Sequence, residues 1–156
     1  MVIRLLIILC FLVSFSGIAQ EDEETGQRQI NIVYGANFTK DEIQFPGASI
    51  FSKDTRQLQF EHQGADLFCD AAIFYQKENK LRAVGNIRLI QGDSIQMTSK
   101  RIDYDGNTRL AKARDNVVLR NASMTLRTDT LYLDREAQEA YYNTSGTIVD
   151  SANVLN

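Results

Sequence analysis

Apolar and polar residues alternate with a period of two along most of this chain, a pattern typical of strands that bury one face. The alternation predicts strands at about residues 31–34, 57–62, 65–76, 81–90, 94–104, 109–120, 123–134 and 139–149. The turn sequences Gln91-Gly92-Asp93 and Asp105-Gly106-Asn107 separate some of them, because Gly and Asn tolerate a positive φ. The segment REAQEAYY has helical propensity, but it is short and stands where other units have a turn and a strand.

The pattern repeats with an offset of 29 residues. This offset relates Ile73-Phe74-Tyr75 to Ile102-Asp103-Tyr104 and to Leu131-Tyr132-Leu133. It predicts three units of two strands each, at about 64–91, 92–120 and 121–150, with a degenerate first unit between residues 30 and 63. Each unit would add one more pair of strands to the same apolar interior.

Within each long strand the apolar residues switch between odd-numbered and even-numbered positions, so they move to the opposite face of the strand. This switch predicts a bend or bulge at the same level in every unit. Stacked hairpins that bend at one level form two facing sheets. The predicted fold is therefore all-β, an antiparallel β-jelly-roll or β-taco built from stacked repeats of about 29 residues. The predicted inner stripe contains Phe68, Ile73, Tyr75, Met97, Ile102, Tyr104, Leu126, Leu131 and Leu133. Arg82, Arg88, Lys100, Arg101, Lys112 and Arg127 are predicted on or near the outer face.

The first residues differ from this pattern. Residues 1–20 have an early Arg4, an apolar run and then small residues, so they are predicted to be a secretory signal peptide. The alternative is an N-terminal membrane anchor, for which the apolar run is short. Residues 21–29 are predicted to be an acidic linker, and residues 30–156 the β-domain. Removal of the leader would leave Cys69 as the sole thiol, and we predict that it is a small buried side chain.

Composition narrows the function. The chain has 156 residues, 44% of them apolar and one of them proline, which indicates a folded domain. Its formal charge of -3 argues against nucleic acid as a partner. The sole histidine, His62, has no companion Ser or Cys motif, and the aspartates are more typical of turns than of a metal site. We therefore predict no catalytic residues, no metal and no cofactor, and the protein is not expected to be an enzyme.

The sequence of the two-strand units, which we call rungs, resembles that of a known family. The stretch LRAVGNIRLIQGDSIQMTSKRIDYD is similar to the OstA-like, LptA-like N-terminal domain, in which an apolar-Gly-Asn-apolar strand and a Gly-Asp turn precede a strand that ends in apolar-x-Tyr-Asp. The stretch HQGADLFCDAAIFYQKENKLRAVGNI resembles the version in Bacteroidetes-like bacteria. The resemblance covers residues 30–156. Arg114-Asp115-Asn116 departs from the Gly-Asn of the motif.

The resemblance implies a periplasmic bridge for lipopolysaccharide transport, associated with the outer membrane, whose hydrophobic groove holds lipid acyl chains. The implied partners are lipopolysaccharide or lipid A, other transport components, and further copies of the chain joined through open sheet edges. The nine residues of the inner stripe would be the lipid-binding residues. Because the chain stops where another rung would begin, we expect either a fragment or a short form that needs a partner edge.

A structural or carbohydrate-binding β-sandwich with a closed core remains the alternative. An exposed row of aromatic residues would favour sugar binding. The chain has no Trp, and Tyr75 and Tyr104 are predicted inside, so the sequence favours lipid transport.

Overall fold

The computed structural model describes residues 28–150, which form an antiparallel sheet of twelve strands. The predicted signal peptide and most of the predicted acidic linker lie outside the described residues. The strands are β1 (Asn31–Tyr34), β2 (Asn37–Thr39), β3 (Ser49–Ser52), β4 (Leu58–His62), β5 (Ala65–Cys69), β6 (Ala71–Tyr75), β7 (Lys80–Gln91), β8 (Ile95–Asp105), β9 (Leu110–Arg120), β10 (Met124–Asp134), β11 (Glu139–Tyr141) and β12 (Gly146–Asp150).

The four long strands, β7 to β10, bend midway, and the bends divide the sheet into two halves. The register shifts between Val84 and Ile87 in β7, between Thr98 and Arg101 in β8, and between Thr128 and Thr130 in β10. We call the halves half-sheet one and half-sheet two. Half-sheet one contains β1, β4, β5, β12 and the segments 87–91, 95–98, 117–120 and 124–128; half-sheet two contains β2, β3, β6, β11 and the segments 80–84, 101–105, 110–114 and 130–134.

The two half-sheets face each other across one apolar core, to which both contribute. Phe60 of half-sheet one and Phe74 of half-sheet two pack with ring centroids 6.1 Å apart. We call the space between the half-sheets the trough, and its side opposite the bends the mouth. The prediction of a bent, all-β, taco-like sandwich is confirmed.

Sequence periodicity located most strands correctly. The predicted strands at 65–76 and 139–149 are each broken in two, by Asp70 and by residues 142–145. Strands β2 and β3, of three and four residues, were not predicted. REAQEAYY forms a turn and the short strand β11, as the repeat predicted.

Buried Cys69 is fully enclosed, as predicted, and burial raises the pKa of its thiol to about 12. It therefore behaves as a small apolar side chain at ordinary pH.

The first bend depends on a close contact between Gly85 and Asp70. The amide of Asp70 donates to the carbonyl of Gly85 at 3.0 Å, and its carboxylate accepts hydrogen bonds from Gln57 and Asn86 and pairs with Lys53 at 2.9 Å. These bonds join the bend of β7 to the break between β5 and β6.

We expect Gly85→Ala to destabilise the protein by about 2 kcal/mol. Gly85 has a φ of 80°, and a Cβ there would lie 2.8 Å from the Cβ of Asp70. Gly64→Ala is the matched control, since Gly64 has a φ of 76° but no atom within 4 Å of the added Cβ. Urea unfolding of both variants measures the difference, and equal losses would show that the contact with Asp70 does not limit this position.

Candidate functional site

The trough is packed solid over most of its length. Leu58, Met97 and Leu131 have no exposed surface, and Phe60 and Ile102 are 1% exposed. These side chains come from both half-sheets, so this part of the trough is a dry core with no room for a ligand.

Six of the nine predicted groove residues lie inside the trough. Five of them are buried and Tyr104 is half-buried at the mouth. The five buried residues are Met97, Ile102, Leu126, Leu131 and Leu133. Their lipid-binding role stays a prediction.

The other three, Phe68, Ile73 and Tyr75, lie on the outer face, so the predicted inner stripe is wrong at these positions. The buried residues of β5 and β6 are instead Leu67, Cys69, Ala72 and Phe74. The 29-residue offset holds between β8 and β10, but β5 and β6 precede β8 by 30 residues. Because strand side chains alternate, an error of one residue moves every side chain to the opposite face.

A network of polar side chains closes the middle of the mouth. Arg135, in the turn after β10, is 8% exposed. Its guanidinium donates to the hydroxyl of Tyr104 at 2.6 Å, to Oε1 of Gln91 at 3.0 Å and to the carbonyl of Gln63 at 3.1 Å. Gln91 belongs to half-sheet one and Gln63 to its β4–β5 turn. The bonds to these two residues therefore join the two half-sheets across the mouth. We call Arg135, Tyr104, His62, Gln91 and Gln63 the latch.

The hydrogen-bond donors of the latch determine which atoms of Tyr104 and His62 carry a proton. Tyr104 accepts from Arg135, so its own proton is free to be donated to Nδ1 of His62, 2.6 Å away. Nε2 of His62 then donates to the carbonyl of Arg28 at 3.0 Å. Burial raises the pKa of the Tyr104 phenol, which keeps its proton in place. The arrangement requires a neutral His62.

The N-terminal part of the mouth is covered by the segment before β1. Ile30 is 5% exposed and its amide donates to Oδ1 of Asn79 at 2.8 Å, while Nδ2 of Asn79 donates to the carbonyl of Arg28 at 2.8 Å. Beneath the latch and Ile30, a cavity of only about 20 Å³ remains. The trough is therefore sealed from its N-terminal end to Arg135.

Acidification is expected to weaken the latch. Burial, aided by the charge of Arg135, lowers the pKa of His62 below its usual 6.5. The unfolded chain therefore takes up this proton first, and stability that is full above pH 6.5 is lost as the pH falls from 6.5 to the lowered pKa. The loss amounts to about 1.4 kcal/mol for each unit by which the pKa is lowered.

Urea unfolding between pH 5 and pH 8 measures this loss, and the NMR titration of the single imidazole gives its pKa directly. His62→Gln should remove the slope in this window, because Glu61, whose pKa hydrogen bonding by Asn31 lowers, stays ionised there. An imidazole that titrates at or above 6.5 in the folded protein would contradict the proposed proton arrangement.

Beyond Arg135 the trough is open. A cavity of about 510 Å³, which we call the chamber, lies between the turns after β7 and β9 and the β10–β11 turn. Its apolar lining consists of Ile95, Leu119, Met124, Leu133 and Ala140. Gln91 and Arg135 stand at its boundary with the latch.

The chamber ends at the C-terminal edge of the sheet. Within residues 28–150, β11 and β12 each pair with β10 only. Ile148 pairs with buried Leu126, so it lies on the inner face, yet it is 54% exposed. Its neighbour Val149 lies on the outer face and is 52% exposed. An edge strand with apolar groups on both faces is suited to pairing with a further strand.

Sequence reasoning missed the chamber and the latch. It selected Leu133, which lines the chamber, but not Ile95, Leu119 or Met124. The latch joins residues as far apart as Gln63 and Arg135, 72 positions along the chain, and no local pattern signals such a contact.

Among residues 28–150, no three His, Cys, Asp or Glu side chains lie together so that they could hold a metal ion. The same residues include no helix of the length and apolarity that crossing a membrane requires.

Comparisons with known proteins agree with this architecture. A family model described as OstA-like protein matches residues 33–156. The chain is similar to the crystal structure of LptH, described as the LptA homologous periplasmic component of the conserved lipopolysaccharide transport device from Pseudomonas aeruginosa. The TM-score is 0.64 at 13% sequence identity, over 79% of this chain and 96% of that one, which shows a shared fold. No curated protein matches the chain.

Proposed function

This chain belongs to the OstA-like protein family, as its rungs indicated, and we propose that it is a periplasmic bridge that carries lipopolysaccharide acyl chains toward the outer membrane. The family match and the shared fold with LptH, a periplasmic component of lipopolysaccharide transport, support this proposal. Export through the predicted signal peptide would bring the chain to that compartment. The role is binding and transfer, with no chemical step.

The chamber is the observation that carries the proposal. It is a cavity of about 510 Å³ with five apolar lining residues and a polar rim, inside a fold whose remaining interior is packed, and it opens at the exposed sheet edge. Each methylene that an acyl chain buries there contributes roughly 0.8 kcal/mol. Acyl chains could therefore bind without a specific polar contact.

The latch confines lipid to the chamber. Acyl chains enter past Ile95, Leu119, Met124 and Leu133, and stop at Arg135. Of the nine residues predicted from sequence, Leu133 would then contact lipid directly. Met97, Ile102, Leu126 and Leu131 would do so only if the half-sheets separated, because they are packed in the core.

Continuity of the trough requires a neighbouring domain at the C-terminal edge. Strands of a neighbouring domain added beside β11 and β12 would extend both half-sheets and place that domain's trough in line with the chamber. The partner would be another transport component or a second copy, whose N-terminal edge consists of β1 and β2.

Photo-crosslinking at neighbouring positions of β12 tests this proposal. A benzophenone amino acid at Ile148 faces the inner side, and the same group at Val149 faces outward with nearly equal exposure. We expect the protein, expressed with its leader in a lipopolysaccharide-producing bacterium, to form an acylated glycolipid adduct at position 148 and not at 149. Mass spectrometry identifies the adduct.

A charge in the chamber should reduce the amount of lipid that co-purifies with the protein. Ile95→Glu places a carboxylate on the inner face at the chamber, whereas Ile90→Glu places it on the outer face of the adjacent strand at a similarly half-buried isoleucine. We expect co-purified lipid to fall at least about fivefold in Ile95→Glu only. Equal adducts at positions 148 and 149, or no acylated lipid with the unmodified protein, would refute lipid carriage in the chamber.

A further inference from the structure

The outer face of half-sheet two carries a continuous row of side chains that runs across the strands. Strand register places one residue from each of six neighbouring strands side by side. In strand order they are Ile73, Arg82, Asp103, Lys112, Tyr132 and Tyr141. Five of these six residues line a concavity with a volume of about 570 Å³, and Tyr75 and Lys80 line it too. We call this surface the outer groove.

Aromatic rings stand at both ends of the outer groove. Tyr132 and Tyr141 stack with centroids 4.9 Å apart and planes 3° apart, and Tyr141 is 55% exposed. The ammonium of Lys112 lies 5.1 Å from the centroid of Tyr132. Tyr75 stands on β6, five strands from β11, or about 24 Å away at the usual strand spacing. The groove is thus long enough for an extended chain.

Fixed charges occupy the middle of the groove. Asp103 forms ion pairs with Arg82 and Arg114. A second concavity of about 550 Å³ shares Arg82 and Asp103 and adds Arg101 and Arg114. Nε of Arg114 has no hydrogen-bond acceptor within the part of the chain that the structure describes. In these two concavities basic side chains outnumber acidic ones, although the chain as a whole has a formal charge of -3.

We propose that the outer groove binds an extended acidic oligosaccharide. The exposed ring of Tyr141 offers a flat apolar surface for the C–H face of a sugar ring. Paired guanidinium and carboxylate groups offer hydrogen bonds to neighbouring hydroxyls. Arg101 is paired with Asp115. Arg82 and Arg114, however, share the single carboxylate of Asp103, so one positive charge is left to attract an acidic substituent. This site lies on the opposite face of the sheet from the chamber, so it does not depend on the lipid proposal.

The outer-face positions of the tyrosines support a glycan as the ligand. An exposed aromatic row was expected to favour sugar binding, and Tyr75 was predicted inside. The structure puts Tyr75 outside, together with Tyr132 and Tyr141. A nucleic acid would require a larger excess of basic residues than this mixed groove provides.

Titration with two matched glycans, followed by amide NMR, tests the proposal. The probes are oligogalacturonate and a neutral malto-oligosaccharide of equal length. We expect oligogalacturonate to shift amide signals of half-sheet two around the groove, and to bind at least about tenfold more tightly than the neutral chain. Tyr141→Ala should weaken binding at least about fivefold. Arg114→Gln should remove most of the preference for the acidic chain.

Matched variants outside the groove are the controls. Tyr142→Ala removes a neighbouring tyrosine, and Arg127→Gln removes an exposed charge from half-sheet one. Binding should be unchanged in both. Absence of binding, shifts confined to the chamber or half-sheet one, or equal weakening by Arg127→Gln and Arg114→Gln would overturn the inference. If Arg114→Gln does not fold, the exposed variant Tyr141→Ala still decides.

Discussion

Ile102→Ala is expected to lower the free energy of unfolding by about 2–5 kcal/mol, whereas Ile73→Ala should cost about 1 kcal/mol or less. The 29-residue repeat aligns these two isoleucines, yet the structure places them on opposite faces. Ile102 is 1% exposed between the half-sheets, and truncation there leaves a cavity in a packed core. Ile73 is half-buried on the outer face, where water can fill the space.

Chemical denaturation of both variants measures this difference, and Leu131→Ala should behave like Ile102→Ala because Leu131 is fully buried at the equivalent position. Similar losses at Ile73 and Ile102 would mean that β6 presents the opposite face to the trough. The register of β5 and β6 against β7 would then be wrong by one residue.

Arg135→Ala is expected to destabilise the protein by about 2–3 kcal/mol. The guanidinium makes three hydrogen bonds, of which those to Gln91 and Gln63 cross the mouth, and their loss separates the two half-sheets there. Hydrogen exchange of β4 and β5 should increase in the variant, since the latch fixes the β4–β5 turn. Arg127→Ala is the control. Arg127 is exposed on β10, the strand that precedes Arg135, and its truncation should change the free energy of unfolding by less than about 0.5 kcal/mol.

Arg135→Met separates the contribution of the Arg135 hydrogen bonds to stability from the contribution of its side-chain packing. It keeps an apolar side chain at the same place and removes the buried charge. Among residues 28–150 no carboxylate forms an ion pair with Arg135, so its desolvation is offset by three neutral acceptors and by the more distant charge of Glu61. If the Met variant were as stable as the original protein, the hydrogen bonds would not outweigh that desolvation, and the latch would not stabilise the closed mouth.

The repeat in this chain shows how far periodicity carries a fold prediction. Alternation is a local property, so it located β1, β4 and the four long strands, and the change of parity located the bends of β8 and β10. In β7 and β9 the buried residues keep the same parity on both sides of the bend, so the alternation there does not mark it. It failed at Phe68, Ile73 and Tyr75 because a face assignment requires the register to be known to one residue. The break at Asp70 and the unequal spacing of the units are invisible to a single offset.

The sequence by itself determined the all-β class, the bent hairpin repeat and the family, since these depend on the period of apolar residues and on short turn sequences. Only the tertiary structure decided which part of the trough is packed and which part is open. That outcome depends on Arg135 reaching residues of half-sheet one that are distant in sequence, and on the cross-strand register that lines up Tyr132 and Tyr141 outside. Contacts between distant residues follow from how the bent strands stack, and one strand's pattern contains no information about its neighbour's register.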